Sequence, residues 1–150
     1  MIPIGDENIT RRAPVVNTAL LIANIAVFAY QLVLGPRAVE QFIFDWGVQA
    51  SEGNALLGGD LSLLWQVLVT SLTSMFIHGG WSHIISNMLF LWIFGDNVED
   101  NFGSLPYLIF YLLSGLSAVL AQSLLVGRSD VPMIGASGAI SGVLAGYLLL

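Results

Sequence analysis

The sequence predicts an all-α polytopic membrane protein, a bundle of about four membrane helices. Three observations carry this. Of the 150 residues, 56% are hydrophobic and only 9% are charged, with a mean hydropathy of +0.82. Ordinary soluble domains carry about 25% charged residues, so most of this surface has to face lipid. Uncharged apolar runs recur at or near the length of a spanning helix, and short segments rich in glycine and acidic residues separate them. No internal repeat is visible, and residues 1–150 read as a single membrane domain.

The first run, 15–34, is uncharged and has the ~20 residues that a span needs. Asp6 and Glu7 precede Arg11-Arg12 ahead of it, so it reads as an anchor and not as a cleavable signal. Asn17, Asn24 and Gln31 are spaced seven apart and form one helical stripe. Amides are costly in lipid, so this stripe is expected to face protein as structural glue. Residues 35–80 read as a loop region punctuated by Gly35-Pro36, Gly53 and Gly58-Gly59-Asp60. Within it Val39, Phe42, Ile43 and Trp46 fall at helical spacing opposite Glu40, Gln41 and Asp45, which fits a short interfacial helix. Residues 61–77 are uncharged but rich in Ser and Thr. They either span or dip in as a re-entrant segment resting on protein, and the second is the expectation.

The remaining helices are read at about 81–95, 105–126 and 137–150, with 95–103 as a polar turn. Ser114, Ser117, Ala118 and Ala121 give the 105–126 span a small-residue face. Two spans separate His78 from Ser137. The chain therefore returns to the same membrane face, and His78, His83 and Ser137 share it whichever way 61–77 runs. Arg11-Arg12 favours a cytoplasmic N-terminus. With 61–77 re-entrant, the Ser/His face is then extracytoplasmic. The membrane expected is a prokaryotic plasma membrane.

Composition also excludes. A net charge of −6 with four arginines and no lysine offers neither the basic face that a nucleic acid needs nor a polybasic lipid site. With no cysteine there is no disulfide or thiolate chemistry. Two histidines without a nearby carboxylate fall short of a metal site. No cofactor is expected, and the partners expected are the lipid bilayer and membrane-spanning proteins.

Ser137 stands between Gly135-Ala136 and Gly138 at the mouth of the last helix. Unpaired N–H groups at a helix N-terminus, and the positive end of its dipole, suit a developing oxyanion. Ser137 is then either an attacking hydroxyl or a plain N-cap. Gly138, Gly142 and Gly146 recur every four residues as a ridge that draws a neighbouring helix close. His83 and Asn87, four apart, lie on one helix face and can both donate hydrogen bonds, although packing would also account for them.

The stretch HGGWSHIISNMLFLWIFGDNVEDNFG, a span, and then GASGAISGVLAGY resemble the rhomboid family of intramembrane serine proteases, over nearly the whole chain. The resemblance implies an intramembrane serine endopeptidase with a Ser–His dyad, cleaving single-span membrane proteins near the interface. It makes Ser137 the nucleophile. It places His83 and Asn87, with the Ser137 backbone N–H, in the oxyanion hole. His78 becomes a structural support of a membrane-embedded first loop, and Glu99 a tie for the 96–104 turn. Gly135, Gly138 and Gly142 support the serine helix. Trp65-Gln66 stands where the family often has Trp-Arg.

The family's general base is a histidine on its sixth helix, and no histidine follows His83 here. The run from Gly138 to Leu150 is also shorter than a span. The chain is therefore expected to be a rhomboid-like fold incomplete at its C-terminus, inactive alone, with the base histidine beyond residue 150. A catalytically inactive rhomboid-like protein that binds membrane helices is the alternative. A transporter is less favoured, because no paired inverted repeat is visible.

Overall fold

The computed structural model describes residues 13–150, so the Arg11-Arg12 pair lies outside the described residues. The elements are α1 (Val15–Val33), α2 (Pro36–Trp46), β1 (Val48–Gln49), α3 (Ala50–Leu57), a 3₁₀ turn (Leu61–Leu63), α4 (Leu64–Ser74), α5 (Trp81–Phe102), α6 (Ser104–Val126), β2 (Pro132–Met133) and α7 (Ser137–Tyr147). The fold is an all-α helical bundle. Helices α1 and α6 are long and apolar enough to cross a membrane. Helix α7 packs on α6 and α5, and α5 packs on α1. The core they enclose is built from Leu20, Met75, Leu91, Val98, Tyr107, Tyr111, Ala139, Ile140 and Val143.

The amide stripe of α1 faces inward, as its spacing predicts: Asn17, Asn24 and Gln31 are all buried. Each answers its buried atoms differently. Asn17 donates to the Leu91 carbonyl at 3.1 Å and accepts from the Tyr107 hydroxyl at 2.8 Å, joining three helices. Asn24 bonds back to Leu20 of its own helix. Gln31 reaches the segment ahead of α5.

Three sequence boundaries and one expected packing face are corrected. Helix α5 does not stop at Gly95 but runs to Phe102 and ends at Gly103, whose φ is +84°. The polar residues 96–101 suggested a turn, yet the helix holds them. Asn97 and Asn101 bond back to the carbonyls of Ile93 and Asn97, and Glu99 is buried against α1. The region 35–80 is no plain loop; it folds into α2, α3 and α4 with a short strand between α2 and α3. The last helix stops at Tyr147 and not at residue 150. The small-residue face of α6 is only half used. Ser114 and Ala118 meet α7, whereas Ser117 and Ala121 are exposed.

Helix α2 covers the amphipathic stretch read from the sequence, with Val39, Phe42 and Ile43 half-buried and Glu40, Gln41 and Asp45 exposed. Helix α4 has 11 residues. At 1.5 Å per residue it is about 16 Å long, far short of a ~30 Å hydrocarbon core. Residues 61–77 therefore do not span. Instead they rest on protein: Val67, Thr70, Ser71 and Ser74 are buried, and the hydroxyls of Thr70, Thr73 and Ser74 bond to nearby carbonyls. This satisfies the polar side chains that made the stretch ambiguous.

The first-loop region is laced to the approach to α7. Val48 pairs with Met133 and Gln49 with Pro132 in a two-strand antiparallel ladder. The Ser51 N–H donates to the Ser129 carbonyl at 3.0 Å. Asn54 donates to the carbonyls of Ser123 and Gly127 at 2.7 and 2.9 Å, closing the C-terminal end of α6. These ties hold the segment that delivers Ser137. Two-residue strands have no period that a sequence can display.

Candidate active site

Ser137 is the first residue of α7, and Ala136 precedes it as the N-cap. The serine side chain caps nothing, so the plain N-cap reading does not describe it. It is exposed, and it lines a cavity of about 410 Å³ with Ser74, Met75, Gln122 and Gly135. Gly135 makes the turn into α7 with φ +113°, a region that L side chains avoid. Its N–H donates to the Ser74 carbonyl at 2.8 Å, so the end of α4 anchors the turn.

His83, in the first turn of α5, packs its ring on this glycine turn. A β-carbon at Gly135 would stand 2.5 Å from His83 Nε2. His83 Nδ1 accepts the Gly79 N–H at 3.3 Å. An amide can only donate, so Nδ1 is the unprotonated nitrogen and the ring proton sits on Nε2, toward Gly135. Asn87 is buried one turn on, and its amide donates to the His83 carbonyl at 2.9 Å. His78 is 1% exposed, and its ring meets that of His83 edge-on at 5.0 Å. Neither His78 ring nitrogen has a hydrogen-bond partner. Burial, and then the neighbouring His83, push its pKa down to about 4, so His78 is neutral at pH 7.

Gly138 and Gly142 lie against Ala118 and Ser114 of α6, where β-carbons would collide. Together they seat α7 and with it Ser137. Glu99 is elsewhere, 16 residues along α5 from His83, about 24 Å at helical rise. Its carboxylate accepts the backbone N–H groups of Val16 and Asn17 at 3.0 and 2.7 Å, and the Ser104 hydroxyl at 2.6 Å. It thus caps α1 and ties the start of α6 to the end of α5. The structure brings Ser137, Gly135, His83, Asn87 and His78 to one end of the bundle and leaves Glu99 at the other. Sequence reading passed over Ser74 and gave Gln31 no part beyond glue. The register of Gln31 in the buried stripe was the available signal.

Ser137 at the start of α7 and the His83 ring on the preceding Gly135 turn thus lie together in a helical bundle, two of whose helices are long and apolar enough to cross a membrane. Residues 64–150 match the Rhomboid domain family model, and the chain belongs to the rhomboid family. It is 31% identical over 148 residues to RHOMBOID-like protein 2 of Arabidopsis thaliana, covering 83% of this chain and 46% of that protein. It is 39% identical over 77 residues to Rhomboid protease GluP of Bacillus subtilis, covering 51% of this chain and 15% of GluP. It is 41% identical over 73 residues to Rhomboid-like protein 11, chloroplastic, of Arabidopsis, covering 49% of this chain and 26% of that protein. The chain spans less than half the length of each of these relatives.

Proposed function

We propose that this chain is part of an intramembrane serine endopeptidase that cleaves single-span membrane proteins near the interface. The observation that carries the reading is the packing of His83 Nε2 on the Gly135 turn, which aims a proton donor at the N-terminus of the serine helix. Ser137 Oγ attacks the scissile carbonyl. The oxyanion accepts hydrogen bonds from His83 Nε2–H and the Ser137 backbone N–H, and from Asn87 once its amide turns from the His83 carbonyl. Collapse expels the amine and leaves an acyl-Ser137 ester, which water hydrolyses.

The Ser137 proton needs a base. His83 is not free to take it, because Nδ1 is engaged by Gly79 and Nε2 carries hydrogen. His78 is buried and too weakly basic. The reading therefore assigns the base to a histidine beyond residue 150. Its topology has a cytoplasmic N-terminus and an extracytoplasmic active face in a prokaryotic plasma membrane. Relatives with chloroplastic and mitochondrial names make organellar membranes the competing setting.

The test is cleavage of a transmembrane substrate in detergent by the full-length protein. Cleavage should vanish with Ser137→Ala, and the 150-residue chain should be inert in the same assay, since general-base help contributes ~10²–10⁴-fold. Cleavage by the purified 150-residue chain at the full-length rate would make one of its two histidines the base. A full-length protein that binds such substrates without cutting them would be the inactive, helix-binding relative.

A further inference from the structure

The oxyanion reading of His83, on which this inference rests, needs its ring proton on Nε2. We propose that Gln31, on α1, is a positioning residue that fixes this tautomer through the backbone of residues 78 and 79. Gln31 is 4% exposed and uses both ends of its amide on one residue. Its Nε2 donates to the His78 carbonyl at 3.0 Å, and its Oε1 accepts the His78 N–H at 3.1 Å. The peptide that follows supplies the Gly79 N–H that enters His83 Nδ1.

The relay runs from α1 to the His78 backbone, to the Gly79 N–H, to His83 Nδ1, and so to the Nε2–H that faces Gly135. The need for such a clamp lies in the sequence. Two consecutive glycines, Gly79-Gly80, precede α5, and glycine backbones rotate freely unless held. An amide serving only as glue could bond within its own helix, as Asn24 does with the Leu20 carbonyl. Gln31 instead reaches 47 positions along the chain. Without the clamp the 78–79 peptide can turn. The Gly79 N–H then leaves Nδ1, and the imidazole exchanges tautomers. The form protonated on Nδ1 presents a lone pair to the oxyanion and repels it.

The experiment is nitrogen NMR of histidine-labelled full-length protein, with the His83 signal assigned by its loss in His83→Ala, alongside steady-state kinetics. In the unmodified protein His83 should show an unprotonated, hydrogen-bonded Nδ1 and a protonated Nε2. Gln31→Met should give a mixture of tautomers and a kcat lower by roughly tenfold at unchanged KM. That is less than the ~10²–10³ lost with a whole oxyanion donor. Asn24→Leu, on the same stripe, should leave both readouts unchanged.

A proton on Nδ1 in the unmodified protein overturns the proposal without any variant. A lowered kcat with the tautomer intact in Gln31→Met also overturns it, since Gln31 then acts by packing alone. If Gln31→Met does not fold, Gln31→Glu keeps the acceptor for the His78 N–H and loses the donor. An unaltered His83 tautomer there is equally fatal. Full activity in His83→Ala would instead sink the oxyanion reading itself.

Discussion

The His83 ring rests on the backbone of Gly135, with Nε2 and Cε1 only 2.5 and 2.6 Å from where a β-carbon would stand. Two independent constraints meet at this glycine, because its φ of +113° is also strained for any other residue. Gly135→Ala should therefore displace the imidazole and distort the turn into α7. The expected result is loss of proteolysis by at least ~10²-fold, the scale of a lost oxyanion donor, with a stability cost of about 1–3 kcal/mol. Gly35→Ala, where an added β-carbon meets nothing within 4 Å, is the control and should behave as the unmodified protein. Specific activity and thermal unfolding in the same detergent check both.

Glu99 should act on stability and not on chemistry. Removing its carboxylate orphans the first N–H groups of α1, which Val16 and Asn17 donate, and frees the Ser104 hydroxyl. Hydrogen bonds to a charged group contribute about 1.5–3 kcal/mol each, and unsatisfied buried donors cost more than their pairing gains. Only the Asn17 bond is fully buried, and Val16 and Ser104 can turn to water, so Glu99→Ala should lower stability by roughly 2–4 kcal/mol, less than the three bonds summed. Activity per folded molecule should be unchanged, because the site is at the opposite end of α5. A large loss of specific activity at full foldedness would contradict this separation.

The spans were legible where one physical signal dominated. The seven-residue spacing of Asn17, Asn24 and Gln31 declared the inner face of α1, because amides in lipid have nowhere to hide. Gly138 and Gly142 declared the contact with α6, because only small residues let helix backbones meet. The course of α5 past Gly95 was not legible. Asp96, Asn97, Glu99 and Asp100 look like a turn in isolation, and only the α1 N-terminus, 82 positions away in sequence from Glu99, explains why that carboxylate is buried. The β1–β2 ladder and the Gln31 clamp on His78 escaped for the same reason: both are long-range pairings of short segments. Residue type and spacing marked Ser137, His83 and Asn87 only as candidates, and their proposed roles came from the rhomboid resemblance. The tautomer of His83 was not legible, since it depends on one N–H from Gly79.

His78 makes stability depend on pH. Its pKa in the folded protein is about 4, depressed by burial and then by His83, against about 6.5 unfolded. The unfolded chain therefore binds more protons between these values, and stability falls as pH drops through that window. The loss should be complete near pH 4 and amount to about 3 kcal/mol at most. His78→Phe should flatten this dependence between pH 7 and pH 5, read as the shift in unfolding midpoint. An equal slope in both proteins would mean that the acid sensitivity arises elsewhere, and not at Glu52, whose pKa is raised by burial and then by Asp130, because such a group gains stability as pH falls.

Gly142 tests whether the seat of α7 controls the nucleophile. A β-carbon there would collide with the Oγ and Cβ of Ser114 on α6, and Gly138 one turn earlier is similarly pressed on Ala118. Gly142→Ala should push α7 off α6 and carry Ser137 with it. The expected cost is about 1–3 kcal/mol of stability, as for overpacking elsewhere, with a several-fold loss of kcat. Ser114→Gly removes the two atoms that the new methyl meets. The pair is in direct contact, so the two changes should be strongly non-additive in a double-mutant cycle. The double variant should recover most of both losses, while Ser114→Gly alone should be mildly destabilising. Additive losses in the double variant would show that the clash with Ser114 is not what moves α7, and that Gly142 matters through the helix backbone alone.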